Sequence, residues 1–245
     1  MGRTFVITGG GTGLGRAFAR TLAGDGHRLV LTGRRLAKVQ AVADEVGNGS
    51  FALACDITDR SAVDAAFAEI AERCCGRIDG LINNAASFTP FPIAEAPEDE
   101  VDAIVDTTLK GTLWCTRAAL PLLERGGLVI NVGSEGVSNP TAMLSVYQGS
   151  KWGLERLTKA MVAELAPHGI RVMLFRTCRM YDEDFEWTLS PERMKRFAEE
   201  NAKRGWFPAT KPIARFESVG KQIRWLVDLP PDVQLNDVIF EARFA

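Results

Sequence analysis

The sequence has no apolar run long enough to cross a membrane and no excess of charge of one sign. A transmembrane helix needs about 20 consecutive apolar residues, and no stretch of this chain approaches that length. Its 29 basic and 31 acidic side chains give a net charge of −2. A balance this close to neutral argues against nucleic acid or an anionic membrane surface as the principal partner. Because the first predicted strand begins at Arg3, we expect no signal peptide and a cytoplasmic location.

Cysteine and histidine are also scarce. The five cysteines stand at positions 55, 74, 75, 115 and 178, an odd number without the spacing of a disulfide framework. We expect them to be reduced and mostly buried. The two histidines, His27 and His168, lie apart in the sequence near predicted loops. Together these counts predict no bound metal.

The chain alternates short β-branched segments with longer helical ones. The predicted strands are 3–8, 28–32, 50–54, 78–83, 127–132, 170–175 and 237–240. The predicted helices lie near 13–24, 35–46, 59–75, 97–124, 145–167, 190–204 and 217–227. Strands that are apolar on both sides and separated by helices form a parallel sheet covered on both faces. The sequence therefore predicts one α/β domain over residues 1–245, a doubly wound, Rossmann-like parallel sheet of about seven strands.

A glycine-rich loop follows the first predicted strand. Residues 8–15 read T-G-G-G-T-G-L-G and lead directly into a helix. Gly9, Gly13 and Gly15 allow a tight turn and close helix–strand packing, and the helix amino terminus offers free N–H groups to a pyrophosphate. No Lys-Ser or Lys-Thr pair follows, which disfavours a nucleoside-triphosphate loop. The pattern predicts a dinucleotide site.

The ends of the second and third strands indicate which dinucleotide is bound. NAD-binding folds carry an acidic residue after the second strand, whereas here Gly33 is followed by Arg34. A guanidinium can hold a 2′-phosphate, so we predict NADP. The alternative is that Arg34 and Arg35 are solvated residues at the start of the next helix. Asp56 is predicted to accept a hydrogen bond from adenine, to cap the following helix, or both.

The stretch from Asn131 to Lys151 carries the candidate reactive groups. Tyr147 and Lys151 stand four residues apart on a predicted helix and therefore share one face. Ser134 lies thirteen residues before Tyr147, where a predicted strand ends. A hydroxyl, a phenol and an ammonium at the carboxyl edge of a parallel sheet indicate proton-transfer chemistry.

These motifs resemble those of the short-chain dehydrogenase/reductase family, in its single-domain branch. The resemblance covers nearly the whole chain and includes N-N-A at 83–85 and N-x-x-S followed by Y-x-x-x-K. It implies that Tyr147 is the general acid, or the base in reverse. It implies that Lys151 lowers the pKa of that phenol and binds the nicotinamide ribose, and that Ser134 polarises the substrate carbonyl. The cofactor contacts that it implies are Gly9, Thr12, Gly13, Leu14, Gly15, Arg34, Asp56, Ile57, Asn84, Ala85, Tyr147 and Lys151.

Several positions depart from the family pattern. Thr108 stands where members commonly carry an asparagine of the proton relay, in T-L-K-G-T. Thr177 and Cys178 replace a Pro-Gly pair, and Asp182 stands where a threonine is usual. Ala86 replaces the glycine that completes N-N-A-G. We therefore expect an intact adenosine half of the site, a remodelled nicotinamide half, and a different backbone path after the sixth strand.

The segment 179–216 is predicted to be a substrate lid. Its large apolar side chains favour a hydrophobic carbonyl substrate; they are Met180, Phe185, Trp187, Met194, Phe197, Trp206 and Phe207. A helix is predicted after Ser190-Pro191, which is a good cap and first position. The alternative is a packing helix with a solvated charged face.

The sequence thus predicts an NADPH-dependent carbonyl reductase, or in reverse an alcohol dehydrogenase, that acts on a small hydrophobic molecule. Two other functions stay open. One is an NADP-binding protein with little redox turnover that acts as a sensor or interaction partner, and the other is a non-redox enzyme on the same scaffold. The helices near 97–124 and 145–167 are apolar over much of their circumference, so we expect a homodimer or homotetramer.

Overall fold

Seven parallel strands form one sheet in a computed structural model of the chain, which describes residues 2–182, 189–205 and 212–244. The strands are β1 (Thr4–Thr8), β2 (Arg28–Gly33), β3 (Phe51–Ala54), β4 (Ile78–Asn83), β5 (Leu123–Ser134), β6 (Arg171–Thr177) and β7 (Asp237–Ile239). Their order across the sheet is β3-β2-β1-β4-β5-β6-β7. The order reverses between β1 and β4, which places the ligand crevice at the carboxyl ends of those strands. The predicted fold class is confirmed.

The helices cover both faces of this sheet. They are α1 (Gly13–Gly24), α2 (Leu36–Val46), α3 (Arg60–Arg73), α4 (Glu98–Val105), α5 (Thr112–Ala119), α6 (Ser145–Leu165), α7 (Pro191–Ala202), α8 (Phe216–Gly220) and α9 (Ile223–Val227). None of the helices in the described parts of the chain combines the length and apolar composition that a membrane crossing requires.

Two apolar clusters sandwich the sheet because successive strand residues point to opposite faces. Phe5 and Ile7 of β1 pack with α1, α2 and α9 on one face. Val6, between them, packs with α3, α5 and α6 on the other face. The parallel strands are therefore buried on both sides, and loops at the carboxyl edge are free to form a site.

The segment predicted as one long helix near 97–124 differs from the prediction. It contains a π-helical segment, Asp106–Gly111, between α4 and α5, and the helix gives way to a 3₁₀ turn at Leu120–Leu122. Pro121 lacks the N–H that an α-helix needs, so helix geometry ends there. β5 accordingly begins at Leu123 rather than at Gly127, and its register with β4 shifts between Ile78 and Gly80.

A half-buried ion network joins β6 to α6 and β7. The Arg176 guanidinium lies 2.9 Å from a Glu155 oxygen and 2.8 Å from an Asp237 oxygen. Because Glu155 follows Lys151 by one helical turn, this network fixes the helix that carries the candidate catalytic residues to the edge of the sheet.

Candidate active site

The glycine-rich loop adopts the geometry that its sequence predicts. Gly9 and Gly13 have φ angles of +66° and +51°, which side chains disfavour. A Cβ at Gly15 would lie 2.2 Å from the Gly9 carbonyl oxygen. Thr12 caps α1 without a side-chain hydrogen bond. The first N–H groups of this twelve-residue helix are therefore available to an anion.

A cleft of about 580 Å³ lies over the carboxyl ends of β1, β2 and β4. Nine predicted cofactor contacts line it: Gly9, Thr12, Gly13, Leu14, Arg34, Asp56, Ile57, Asn84 and Ala85. Gly15, Tyr147 and Lys151 are not among its lining residues. Sequence reasoning assigned no contact to the lining residues Gly11, Lys38, Cys55, Phe88, Thr107 and Phe216. Lys38 lies in the first turn of α2, shortly after Arg34 and Arg35, and this clustering of basic residues could have indicated it.

Asp56 makes a local turn beside this cleft. Its Oδ1 accepts hydrogen bonds from the Thr58 backbone N–H at 3.0 Å and the Thr58 hydroxyl at 2.8 Å. The cap of α3 is Asp59, which accepts from the N–H groups of Ser61 and Ala62. The predicted capping role of Asp56 is therefore wrong, because the following aspartate lies at the correct distance from the helix. The adenine role stays a prediction.

The paired asparagines after β4 serve two different structures. Asn84 donates through Nδ2 to the carbonyls of Thr8 and Gly9, at 3.0 and 3.2 Å, and so joins β4 to the glycine loop. Asn83 faces α5 and donates to Thr116 Oγ1 at 3.0 Å and to Asn131 Oδ1 at 2.9 Å. Both asparagines thus hold the carboxyl ends of the central strands in register.

Ser134 and Tyr147 are brought together at the end of β5. Tyr147 lies in the first turn of α6 and makes a side-chain hydrogen bond with Ser134. The Ser134 Oγ also accepts the Gly136 N–H at 3.1 Å. Gln148 donates to the carbonyls of Asn139 and Gly136, which holds the intervening loop against α6. The serine hydroxyl is therefore positioned at the phenol by contacts on both sides.

Lys151 is buried one turn beyond Tyr147, with a fractional exposure of 3%. Its Nζ donates to the Val132 carbonyl oxygen at 2.7 Å. Burial lowers the pKa of Lys151 to about 8. Burial raises the pKa of Tyr147, although its hydrogen bond with Ser134 acts in the opposite direction. The predicted lowering of the phenol pKa by Lys151 is therefore wrong for this arrangement, since desolvation has the larger effect and the amine binds a backbone carbonyl.

Thr108 lies in the π-helical segment and is 1% exposed. Its hydroxyl oxygen has no hydrogen-bond partner among the described residues. Its neighbour Thr107 lines the cleft. Thr108, at the place where the family commonly has asparagine, therefore lies in a π-helical turn, a feature that often occurs at functional sites.

The segment after β6 pairs with a distant part of the chain. The Tyr181 N–H donates to the Ala214 carbonyl and the Ala214 N–H donates to the Arg179 carbonyl, each at 3.0 Å. Cys178 packs in the core, where burial raises the pKa of its thiol to about 11. A thiol with this pKa is a poor nucleophile at neutral pH, so Cys178 fits packing better than a nucleophilic or redox role. Asp182 is absent from the lining of the cleft.

Glu135 is a site neighbour that sequence reasoning missed. Its Oε1 accepts the Arg179 backbone N–H at 3.0 Å. Burial raises the pKa of this carboxyl group, and the Arg179 contacts oppose that effect. The Glu135 side chain thereby connects the end of β5 to the segment that follows β6. The contact joins positions far apart in the chain, so no local pattern indicates it.

Helix α7, in the predicted lid, begins as expected after Ser190, whose hydroxyl accepts the Arg193 N–H. Arg193 binds both carboxylate oxygens of Glu100, at 2.7 and 2.9 Å. Arg196 binds both oxygens of Glu95, at 2.7 and 2.6 Å. These pairs hold α7 against the segments that follow β4. Four predicted lid residues lie outside the described residues: Phe185, Trp187, Trp206 and Phe207.

Across residues 2–182, 189–205 and 212–244, no group of three or more histidine, cysteine or acidic side chains could hold a metal ion. All five cysteines are free thiols, and four of them are buried.

Comparisons with known proteins agree with this geometry. A family model described as short chain dehydrogenase matches residues 3–183. A sorbitol dehydrogenase of Cereibacter sphaeroides is 35% identical over 174 residues, which cover 70% of this chain and 68% of that protein. An oxidoreductase of Sarocladium schorii is 32% identical over 203 residues, which cover 82% of this chain and 81% of that protein.

Solved structures show the same fold. A metagenomic short-chain oxidoreductase in complex with NADP has a TM-score of 0.78 at 26% identity, covering 99% of this chain and 98% of that one. A short chain dehydrogenase from Burkholderia cenocepacia J2315, also in complex with NADP, has a TM-score of 0.81 at 25% identity, covering 98% of this chain and 96% of that one.

Proposed function

This chain is an oxidoreductase of the short-chain dehydrogenase family, and from that premise we propose that it is an NADPH-dependent carbonyl reductase, or in reverse an alcohol dehydrogenase. The observation that carries the proposal is the hydrogen-bonded pair of Ser134 and Tyr147, with Lys151 buried one turn further along α6. This arrangement offers a proton donor, a polarising hydroxyl and a cation at the carboxyl edge of the sheet.

The residues of the cleft fit NADP. Three basic side chains, Arg34, Arg35 and Lys38, line it at the end of β2. Gly33 places no carboxylate there, so a 2′-phosphate would meet cations and no fixed negative charge at that position. The complexes of the two related structures with NADP support this assignment. When bound, NADPH supplies the hydride.

Tyr147 is the proton donor to the carbonyl oxygen. Its raised pKa keeps the phenol protonated at neutral pH, which is the form that reduction requires. Ser134 donates its hydroxyl hydrogen to the same oxygen and stabilises the negative charge that develops there. The hydrogen bond between the two side chains supports a position for the substrate oxygen in contact with both.

Lys151 resupplies the proton. After Tyr147 gives up its proton, the Lys151 ammonium group, one helical turn further along α6, donates a proton to the phenolate that remains. With a pKa of about 8, Lys151 is mostly protonated at pH 7 and can also release a proton as the pH rises. Its bond to the Val132 carbonyl orients the amine along β5.

A binding protein with little turnover is the second candidate, and a non-redox enzyme on this scaffold is a third. Thr108 favours them, because its buried hydroxyl has no partner in the described structure where the family commonly has an asparagine amide. Thr177 and Cys178 replace Pro-Gly in the same half of the site. Neither change removes Ser134, Tyr147 or Lys151, so reduction remains the better-supported function.

Turnover distinguishes these candidates. We expect NADPH fluorescence to change on binding and NADPH absorbance to fall when aromatic and aliphatic ketones are added. Tight binding without consumption across a broad ketone panel would favour the binding protein. Failure to bind NADPH would contradict the cofactor assignment itself.

We infer that the chain assembles through the outer faces of α5 and α6. Leu113 on α5 is 39% exposed and Trp152 on α6 is 61% exposed, so both present apolar surface outward. Light scattering at micromolar concentration is expected to give a dimer or tetramer, and Trp152→Glu is expected to shift the mass toward the monomer. A monomeric mass for the unmodified protein would contradict the assembly.

A further inference from the structure

A small apolar cluster stands apart from the two clusters that sandwich the sheet, and Tyr147 packs against it. We call the Phe88 and Phe197 rings, together with the Met143 side chain beside them, the aromatic wall. The Phe88 ring meets the Tyr147 ring edge to face, with centroids 5.1 Å apart. It meets the Phe197 ring in the same way at 6.5 Å. Apolar side chains therefore border Tyr147, the proposed proton donor, on the side where these rings lie.

The wall also reaches the cofactor cleft. Phe88 lines the cleft together with Ala86 and Thr107, while its ring contacts Tyr147. One side chain therefore borders both the cleft assigned to the cofactor and the residue assigned as acid. A carbonyl group that is reduced between the two would therefore have a substituent beside Phe88.

Three separate chain segments hold the wall in place. Met143 is buried with a φ of +66°, an unfavourable conformation that persists when its surroundings fix it. Its carbonyl accepts the Phe91 N–H at 2.9 Å. Asn201 of α7, 1% exposed, accepts the Ala142 N–H at 2.9 Å and donates to the Ala142 carbonyl at 3.2 Å. The lid helix and the loop after β4 are therefore both fastened to the loop that precedes Tyr147.

The amide side chains beside the wall already form hydrogen bonds with the backbone. Asn201 Nδ2 donates to the Phe197 and Ala142 carbonyls. Gln148 Nε2 donates to the Asn139 carbonyl and its Oε1 accepts the Thr141 N–H. A hydroxyl group placed against the wall would lose its water partners and gain none from these amides.

From this geometry we infer that the aromatic wall determines substrate specificity: it accepts an aryl or branched-alkyl substituent on the carbonyl carbon and rejects polyhydroxylated substrates. The inference rests on the proposed function and names its substrate class. Aromatic rings favour edge-to-face contacts of the kind that Phe88 already makes, which favours an aryl group. Each buried hydroxyl without a partner is expected to lower kcat/KM about tenfold.

The test compares acetophenone with D-fructose at saturating NADPH. The unmodified enzyme is expected to favour acetophenone in kcat/KM by at least about 100-fold. Phe197→Asn, which places a polar amide in the wall, is expected to lower this ratio about tenfold. Lys195→Gln is the matched control: Lys195 also lies on α7, and its exposed side chain pairs with Glu199 of the same helix rather than with another segment. Its ratio is expected to match that of the unmodified enzyme.

Phe197 is buried, so its replacement by a polar residue also affects folding. A second variant therefore tests the wall at a residue that is not buried. Phe88→Leu keeps the wall apolar and removes a ring that is partly exposed. It is expected to lower the preference for acetophenone over 3-methyl-2-butanone severalfold. Equal kcat/KM for fructose and acetophenone in the unmodified enzyme would overturn the inference, as would unchanged ratios in both wall variants.

Binding separates this inference from the proposed function. If no ketone is reduced, the proposed function fails, and the wall is then tested by thermal unfolding with NADPH present. Acetophenone is expected to raise the unfolding midpoint of the unmodified protein more than that of Phe197→Asn, with Lys195→Gln behaving as the unmodified protein. Equal midpoint shifts in all three would overturn the inference.

Discussion

Replacement of Tyr147 by phenylalanine is expected to lower kcat/KM for carbonyl reduction by about 10²–10⁴-fold, the range that positioned acid catalysis contributes. The change removes the phenol oxygen, which hydrogen-bonds Ser134, and keeps the ring that packs on Phe88. Folding and NADPH binding are therefore expected to persist. Steady-state kinetics and an NADPH fluorescence titration measure the two effects separately.

The chain offers a matched control, because it contains two tyrosines. Tyr181 is 41% exposed and lies in the segment that pairs with Ala214 through backbone hydrogen bonds. Tyr181→Phe removes the same atom and is expected to leave kcat/KM within about twofold. If Tyr147→Phe retains a rate within tenfold of the unmodified enzyme, Tyr147 is not the proton donor.

The sequence predicts the scaffold, and the placement of Tyr147 and Lys151 on one helix, well because both depend on local patterns. Apolar β-branched runs separated by amphipathic helices indicate the parallel sheet, and all seven predicted strands are present. Gly9, Gly13 and Gly15 indicate the loop because their backbone conformations and contacts exclude larger residues. The spacing of Tyr147 and Lys151 follows from helix periodicity alone.

Contacts between a side chain and a distant backbone group could not be predicted in this way. Lys151 binds the Val132 carbonyl, and Asn201 binds both backbone groups of Ala142. Almost every residue has a backbone carbonyl and N–H, so the sequence does not indicate which of them a given side chain will bind. The direction of the Tyr147 pKa shift was mispredicted for the same reason, since it depends on burial and on where the Lys151 amine points.

Local changes in helix geometry are another feature that could not be predicted from the sequence. The π-helical segment around Thr108 arises within a stretch whose apolar pattern suits a continuous α-helix. A Cβ at Gly111, at its end, would lie 2.7 Å from Ile57. The close approach of this helix to the segment after β3 therefore favours glycine at that position, which the periodicity of the helix does not reveal.

Replacement of Arg34 by aspartate is expected to weaken NADPH binding about 100-fold and to leave NADH binding unchanged or improved. A charge-assisted hydrogen bond contributes about 1.5–3 kcal/mol, and the new carboxylate would repel a 2′-phosphate in addition. NADH lacks that phosphate, and an acidic residue at this position suits its ribose hydroxyls. Fluorescence titrations with both cofactors give the ratio of dissociation constants.

Arg60→Asp is the control for the change in net charge. Arg60 lies at the start of α3, is absent from the lining of the cleft, and forms an exposed pair with Asp64. An aspartate in the first turn of a helix is well tolerated, so this variant is expected to bind both cofactors as the unmodified protein does. A ratio of NADPH to NADH affinity that is the same in Arg34→Asp and the unmodified protein would contradict the role of Arg34. A residual preference for NADPH in Arg34→Asp would instead be assigned to Arg35 and Lys38, the other cations that line the cleft.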